Sequence, residues 1–89
     1  MEIKKEQQEQ VINFGAFDYN AKKIASILAI EKNEVEEELK NKNSQLSKLL
    51  QKGKDMSDYV IDLKLFEMAK TGDIKALDKL ESRKWERNH

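Results

Sequence analysis

Five glutamates, Glu31, Glu34, Glu36, Glu37 and Glu38, crowd eight consecutive positions of this chain with a single lysine, Lys32, among them. Clustered carboxylates can hold a metal or exchange protons, but acid–base work needs an enclosure that lifts a pKa. Nothing apolar in the surrounding sequence encloses this set, so catalysis is not expected from it. Spaced at i,i+4, Glu36 with Lys40 and Glu38 with Lys42 form an ordinary solvated helix face. Two other uses stay open, an anionic docking face for a basic partner and a helix that meets DNA. Candidate phosphate-binding cations are Lys40, Lys42, Lys48, Lys52 and Lys54, followed at the end of the chain by Arg83, Lys84 and Arg87 around Trp85. Lysines at helix ends and a tryptophan anchoring a last helix are the plainer account of both. The chain has no cysteine and one histidine, His89, which excludes disulfides and thiolate metal sites and leaves no histidine pair for zinc. There is no glycine-rich phosphate loop and no nucleophile elbow. No cofactor is expected.

The elements that must position the glutamates are written in residues 24–39. Ile24, Ala25, Leu28, Ile30, Val35 and Leu39 are spaced for two short helices meeting at a tight turn. Ile30 would plug the corner, Ala25 would allow a close crossing, and Val35 and Leu39 would share one face of the second helix. This is the apolar skeleton of a helix-turn-helix, and Val11, Ile12 and Phe14 stand where a preceding helix would complete a three-helix core. Ala29 occupies the place where such a turn usually has Gly, and Glu31 the place of the usual Ser or Thr cap.

Eighty-nine residues with equal numbers of acidic and basic groups, seventeen of each, make one small domain or a small domain with an arm. Zero net charge gives no bulk attraction to nucleic acid, so any anion-binding surface must be local. The start of the chain has no apolar run of signal-peptide length, and residues 24–30 are too short a run to span a bilayer. No membrane partner and a cytoplasmic setting are expected. The pattern predicts six helices: residues 4–14, stopped by Gly15; a second capped by Asp18 or Asn20 with Ile24, Ile27 and Leu28 inward; and a third over residues 32–42. A fourth starts at Ser44 and ends at Gly53, a fifth starts near Ser57 or Asp58 and ends at Gly72, and a sixth is capped by Asp73. The fifth holds eight apolar residues in eleven positions, from Tyr59 to Ala69, more than one buried face requires. Self-association through Tyr59, Leu65, Phe66 and Met68 follows as an expectation.

From Asp58 onward the chain resembles the second half of small phage DNA-packaging proteins, the terminase small-subunit-like group. The resemblance lies in a leucine-bearing helix through Leu63 and Leu65 to Ala69, then Gly72-Asp73, then Ala76, with a closing Leu80, Arg83 and Trp85. Such proteins pair an N-terminal helix-turn-helix with a helical second half, and the likeness covers about residues 8–87. It implies an oligomer, often a ring, that contacts viral duplex DNA and serves a packaging motor whose large subunit is its partner, in the host cytoplasm. It further implies that Lys32, Asn33, Glu34, Glu37 and Glu38 face the groove, where Asn33 suits adenine and Lys32 guanine or phosphate. Lys22, Lys23, Lys32 and Lys40 would then set the salt dependence. The glutamates depart from what a groove reader usually presents. The expectation is thus an all-α, oligomeric, non-enzymatic adaptor. A three-helix helix-turn-helix domain at residues 1–43 precedes a helical hairpin region at 44–89, and Lys22, Lys23, Lys32, Asn33, Glu37 and Lys40 form the DNA-facing set. The alternative is a protein-interaction module whose acidic face docks a basic partner.

Overall fold

A computed structural model describes residues 1–88, and within them the chain forms five α-helices joined by short turns. The remaining residue, His89, lies outside the described residues, so the reading that it builds no zinc site is not addressed.

Helix α1 (Lys5–Ala16) begins where the Lys4 N–H donates to Gln7 Oε1 at 3.1 Å. It buries Val11 and Phe14. Helix α2 (Ala21–Leu28) is capped by Asn20, whose side-chain oxygen accepts from the Lys23 N–H at 2.9 Å. At its end Ala29 takes the left-handed conformation, φ 58° and ψ 45°, and the Ile30 N–H reaches back to the Ala25 carbonyl at 3.0 Å. That closure normally uses glycine, because a Cβ crowds the backbone at positive φ. Helix α3 (Lys32–Lys40) follows at once, with Val35 fully buried. Ser44 then caps helix α4 (Gln45–Lys70), accepting from the Ser47 N–H at 3.1 Å and donating to the Glu38 carbonyl at 2.9 Å.

Two expected helix stops are absent, and both glycines serve a different purpose. Gly15 lies inside α1, and α4 runs unbroken for 26 residues through Gly53. A Cβ added to Gly15 would overlap the Leu50 carbonyl and lie 2.8 Å from Leu50 Cα. One added to Gly53 would overlap the Ile12 carbonyl and lie 2.9 Å from the Ala16 nitrogen. The two glycines face each other's helices at a backbone-to-backbone crossing of α1 and α4 that no other residue type fits. The gain from that contact outweighs the weak helix propensity of glycine, so the expected fourth and fifth helices are one. Gly72 does end a helix as expected, at φ 100°, with Asp73 N–H bonded to the Met68 carbonyl at 3.3 Å. Asp73 caps helix α5 (Ile74–Asn88) by accepting from the Ala76 N–H at 3.0 Å.

The chain divides into two compact units, Met1–Ser57 and Asp58–His89. In the first, Ile3, Val11, Phe14, Ile24, Ala25, Val35 and Leu46 form the core, with Tyr19, Leu28, Ile30, Leu49 and Leu50 packed against it. Leu46 is fully buried, so the start of α4 belongs with the first three helices. Ile27, expected inward, is 43% exposed, because Ile24, Ala25 and Leu28 already fill the narrow inner face of this two-turn helix. Among the described hydrophobic residues of the second unit only Ala76 is buried. That unit is a helical hairpin whose apolar residues are mostly left facing outward.

Candidate functional site

The outward face of α3 is built by helical spacing. With Val35 at the core, Asn33, Glu37 and Lys40 fall on the opposite side. All three are exposed, as are Lys22, Lys23 and Lys32. The cations of this set are not all at liberty. The Lys40 ammonium lies 3.0 Å from Glu37, and Lys32 lies 3.4 Å from Glu36. Lys23 sits 4.5 Å above the Tyr19 ring, a cation–π contact that fixes it beside the α2 N-terminus. Glu38, expected to face outward, turns inward instead. It stands three residues from Val35, hence toward the core side, and accepts from the Met1 ammonium at 3.0 Å. That hydrogen bond, with the attraction of the Glu38 charge, raises the pKa of the Met1 amine. What remains on the exposed surface of α3 is Glu34 and Glu37, with Glu31 at its N-cap, Asn33, and two lysines already engaged by neighbouring carboxylates. The face is acidic.

A shallow groove of about 490 Å3 lies beside it in the same unit, with Phe14, Tyr19, Leu39 and Leu50 as its apolar walls and Lys42 and Lys54 among its polar ones. Phe14 and Tyr19 stack at 5.7 Å between ring centroids. Leu39, expected to share a buried face with Val35, is 36% exposed and forms one edge of this groove.

In the second unit the two arginines are absorbed by a network. Arg83 Nε donates to Asp62 at 2.7 Å, Arg83 also reaches Asp58 at 3.3 Å, and Arg87 meets the other oxygen of Asp62 at 2.8 Å. The Arg83 hydrogen bond is the main reason the Asp62 carboxyl stays below its ordinary range, assisted by Arg87 and opposed by partial desolvation. Asp62 in turn raises the Arg83 guanidinium. Arg83 and Arg87, considered as phosphate ligands from sequence, therefore hold α5 to α4 in this hairpin. Asp58/Asp62 and Arg83/Arg87 are each spaced i,i+4, and that pairing was a sequence signal that went unused.

Of the residues expected to mediate self-association, Tyr59 and Phe66 lie together with Leu63 and Leu80 along a groove of about 370 Å3. Leu65 is half-buried, and Met68 lies on the opposite flank of α4, about 180° from Tyr59 by helical rotation. Trp85 is 63% exposed.

Among the described residues no group of acidic or histidine side chains could hold a metal ion, and no helix is long and apolar enough to cross a membrane. The arrangement offers an acidic helix face and an apolar hairpin flank, both suited to macromolecular contact. Comparison with known proteins finds no matching family model and no significant match among curated proteins or solved structures.

Proposed function

We propose that the chain is a non-enzymatic, self-associating DNA-recognition adaptor of the terminase small-subunit type, with α2, its turn and α3 forming the helix-turn-helix. The observation that carries this reading is the joint between α2 and α3. Ala29 is held at φ 58°, the Ile30 N–H closes on Ala25, and Ile24, Ala25 and Val35 are buried beneath it. Holding alanine in that conformation costs about 1 kcal/mol, a cost met where the angle between two helices must be fixed. A helix-turn-helix needs that fixed angle to present its second helix to a groove. Asn33 is the outward residue best suited to a base edge, and the exposed Lys22 and Lys23 at the start of α2 are the cations that would meet phosphate, Lys23 by leaving the Tyr19 ring. Exposed apolar residues in the second unit support self-association. Delivery of DNA to a packaging motor's large subunit follows from the family resemblance.

A second reading is favoured by the ion pairs on α3. Because Lys32 and Lys40 are drawn to Glu36 and Glu37, the outward face is net negative and complements a basic protein surface. Binding of the full chain to a labelled duplex, followed by fluorescence anisotropy at about 50 and about 200 mM salt, separates the two. Contacts to Z phosphates give a slope of about −0.9Z in log affinity against log salt. Absence of duplex binding at the lower salt eliminates the DNA reading and leaves the acidic docking face.

A further inference from the structure

We infer that the groove beside α3 in the first unit is a docking site for an acidic peptide segment of a protein partner. The segment seats one large apolar side chain between Leu39 and Leu50 and lays its carboxylates on Lys42 and Lys54. The site is separate from the α2–α3 surface proposed for DNA, and the inference does not rest on that reading.

The groove is preformed. Its lining includes Gly15 and Leu50, which meet so closely that a Cβ on Gly15 would overlap the Leu50 carbonyl. Backbone contact of that kind fixes the site before a ligand arrives and spares the ligand the cost of ordering it. Leu39 stands at the edge, 36% exposed, although its spacing from Val35 suits burial. The charged residues lining the groove are Lys42, Lys54 and Asp18. Lys32 and Lys40 on α3 are held by Glu36 and Glu37, but neither Lys42 nor Lys54 has an ion-pair partner among the described residues. From Lys40 to Lys54 the chain carries five lysines and no acidic residue, so the potential at the groove is positive even with Asp18 beside it. Apolar walls flanked by unpaired lysines complement a ligand that is apolar at its centre and anionic at its ends. Because Leu39, Lys42 and Lys54 are exposed, a small carboxylate would keep much of its surface in water. A side chain presented by a larger body is shielded by the rest of that body. Nucleic acid gains little here. Phosphate has no use for Leu39 and Leu50, and the Tyr19 ring is already taken by Phe14 at 5.7 Å and by Lys23 at 4.5 Å.

The test is selection of a displayed library of random short peptides on the immobilised full chain. The expected family carries Leu, Ile or Phe flanked by Asp or Glu. A fluorescent copy of its strongest member is then titrated by anisotropy against the wild type and three variants, each checked for unchanged helicity by circular dichroism. Lys42→Glu with Lys54→Glu is expected to weaken binding at least tenfold, and Leu39→Ser to weaken it as well. Asp18→Asn removes the one opposing charge, suits the left-handed backbone at φ 58°, and is expected to tighten binding. Selection of no acidic family overturns the inference, as does binding that ignores the charge reversal, Leu39→Ser or Asp18→Asn. Duplex binding and light scattering are read on the same variants. Where no acidic family is selected, loss of duplex affinity on charge reversal assigns the lysines to phosphate, and loss of self-association assigns the groove to a second copy. An acidic peptide that follows the expected order on a chain that binds no duplex leaves the groove standing and ends the DNA reading alone.

Discussion

Gly53→Ala tests the α1–α4 crossing, because the sign of its effect differs between an ordinary helix and this one. In an exposed helix interior, replacing glycine by alanine stabilises by ~0.5–1 kcal/mol, since the unfolded chain loses freedom. At Gly53 the new methyl would overlap the Ile12 carbonyl oxygen and lie 2.8 Å from its carbon and 2.9 Å from the Ala16 nitrogen. All three are backbone atoms and have no rotamer to escape into. The helices must part, loosening Val11 and Phe14, which are 0% and 4% exposed. Overpacking of this kind costs ~1–3 kcal/mol, so after the propensity gain the net loss is ~1–2 kcal/mol. For a domain of this size that lowers Tm by about 5–15 °C, read by far-UV circular dichroism at fixed protein concentration. Gly15→Ala should behave alike, and the double variant should lose less than the sum of the singles, because one methyl opens the space that the other needs. A Tm equal to or above that of the wild type for Gly53→Ala refutes the crossing.

Ala29→Gly relieves a non-glycine residue at φ 58° and is expected to raise stability by about 1 kcal/mol in urea denaturation; a loss would mean that the turn does not hold that conformation. Val35→Ala empties a fully buried site and should cost ~1–3 kcal/mol, and an unchanged denaturation midpoint would show that α3 is not packed on the core. Asp62→Asn removes a carboxylate whose pKa is depressed in the fold by Arg83 and then Arg87. The contribution of that carboxylate is present above its ordinary value of 3.8 and is lost as pH falls below it. The variant should therefore be less stable by ~0.5–1 kcal/mol near about pH 7 and indistinguishable near about pH 2, and a pH-independent difference would contradict the network.

The all-helical class, the turn at Gly72-Asp73 and the Asn20, Ser44 and Asp73 caps were legible in the sequence, because capping chemistry is local and depends on a few side chains. So was most of the first core, since Ile24, Ala25 and Val35 sit at spacings that suit two short packed helices, and all three are buried. The two glycines misled because sequence alone does not distinguish a glycine that ends a helix from one that admits another helix. That distinction depends on Ile12 and Leu50, which lie 41 and 35 residues away from Gly53 and Gly15. Ile3 was missed for a related reason. It belongs to no periodic segment and is buried by the core cluster it joins, with its N–H 3.4 Å from Gln45 Oε1. On α3 the expectation for Glu37 matched its exposed placement and that for Glu38 did not, although one residue separates them. Counting from Val35 would have told them apart.

The central claim is that α3 meets DNA despite its acidic face, and the glutamates on that face give the most direct measurement. Glu34 and Glu37 are exposed and oppose phosphate, whereas Glu38 is engaged with Met1 and takes no part. Unit charges a few ångströms apart in water interact by about 1 kcal/mol, so Glu34→Gln with Glu37→Gln should tighten duplex binding roughly tenfold at about 50 mM salt. Lys22→Ala or Lys23→Ala in the same titration should flatten the salt slope by about one unit each. Unchanged or weaker duplex binding by the double Gln variant, or no binding by either protein, would contradict the account.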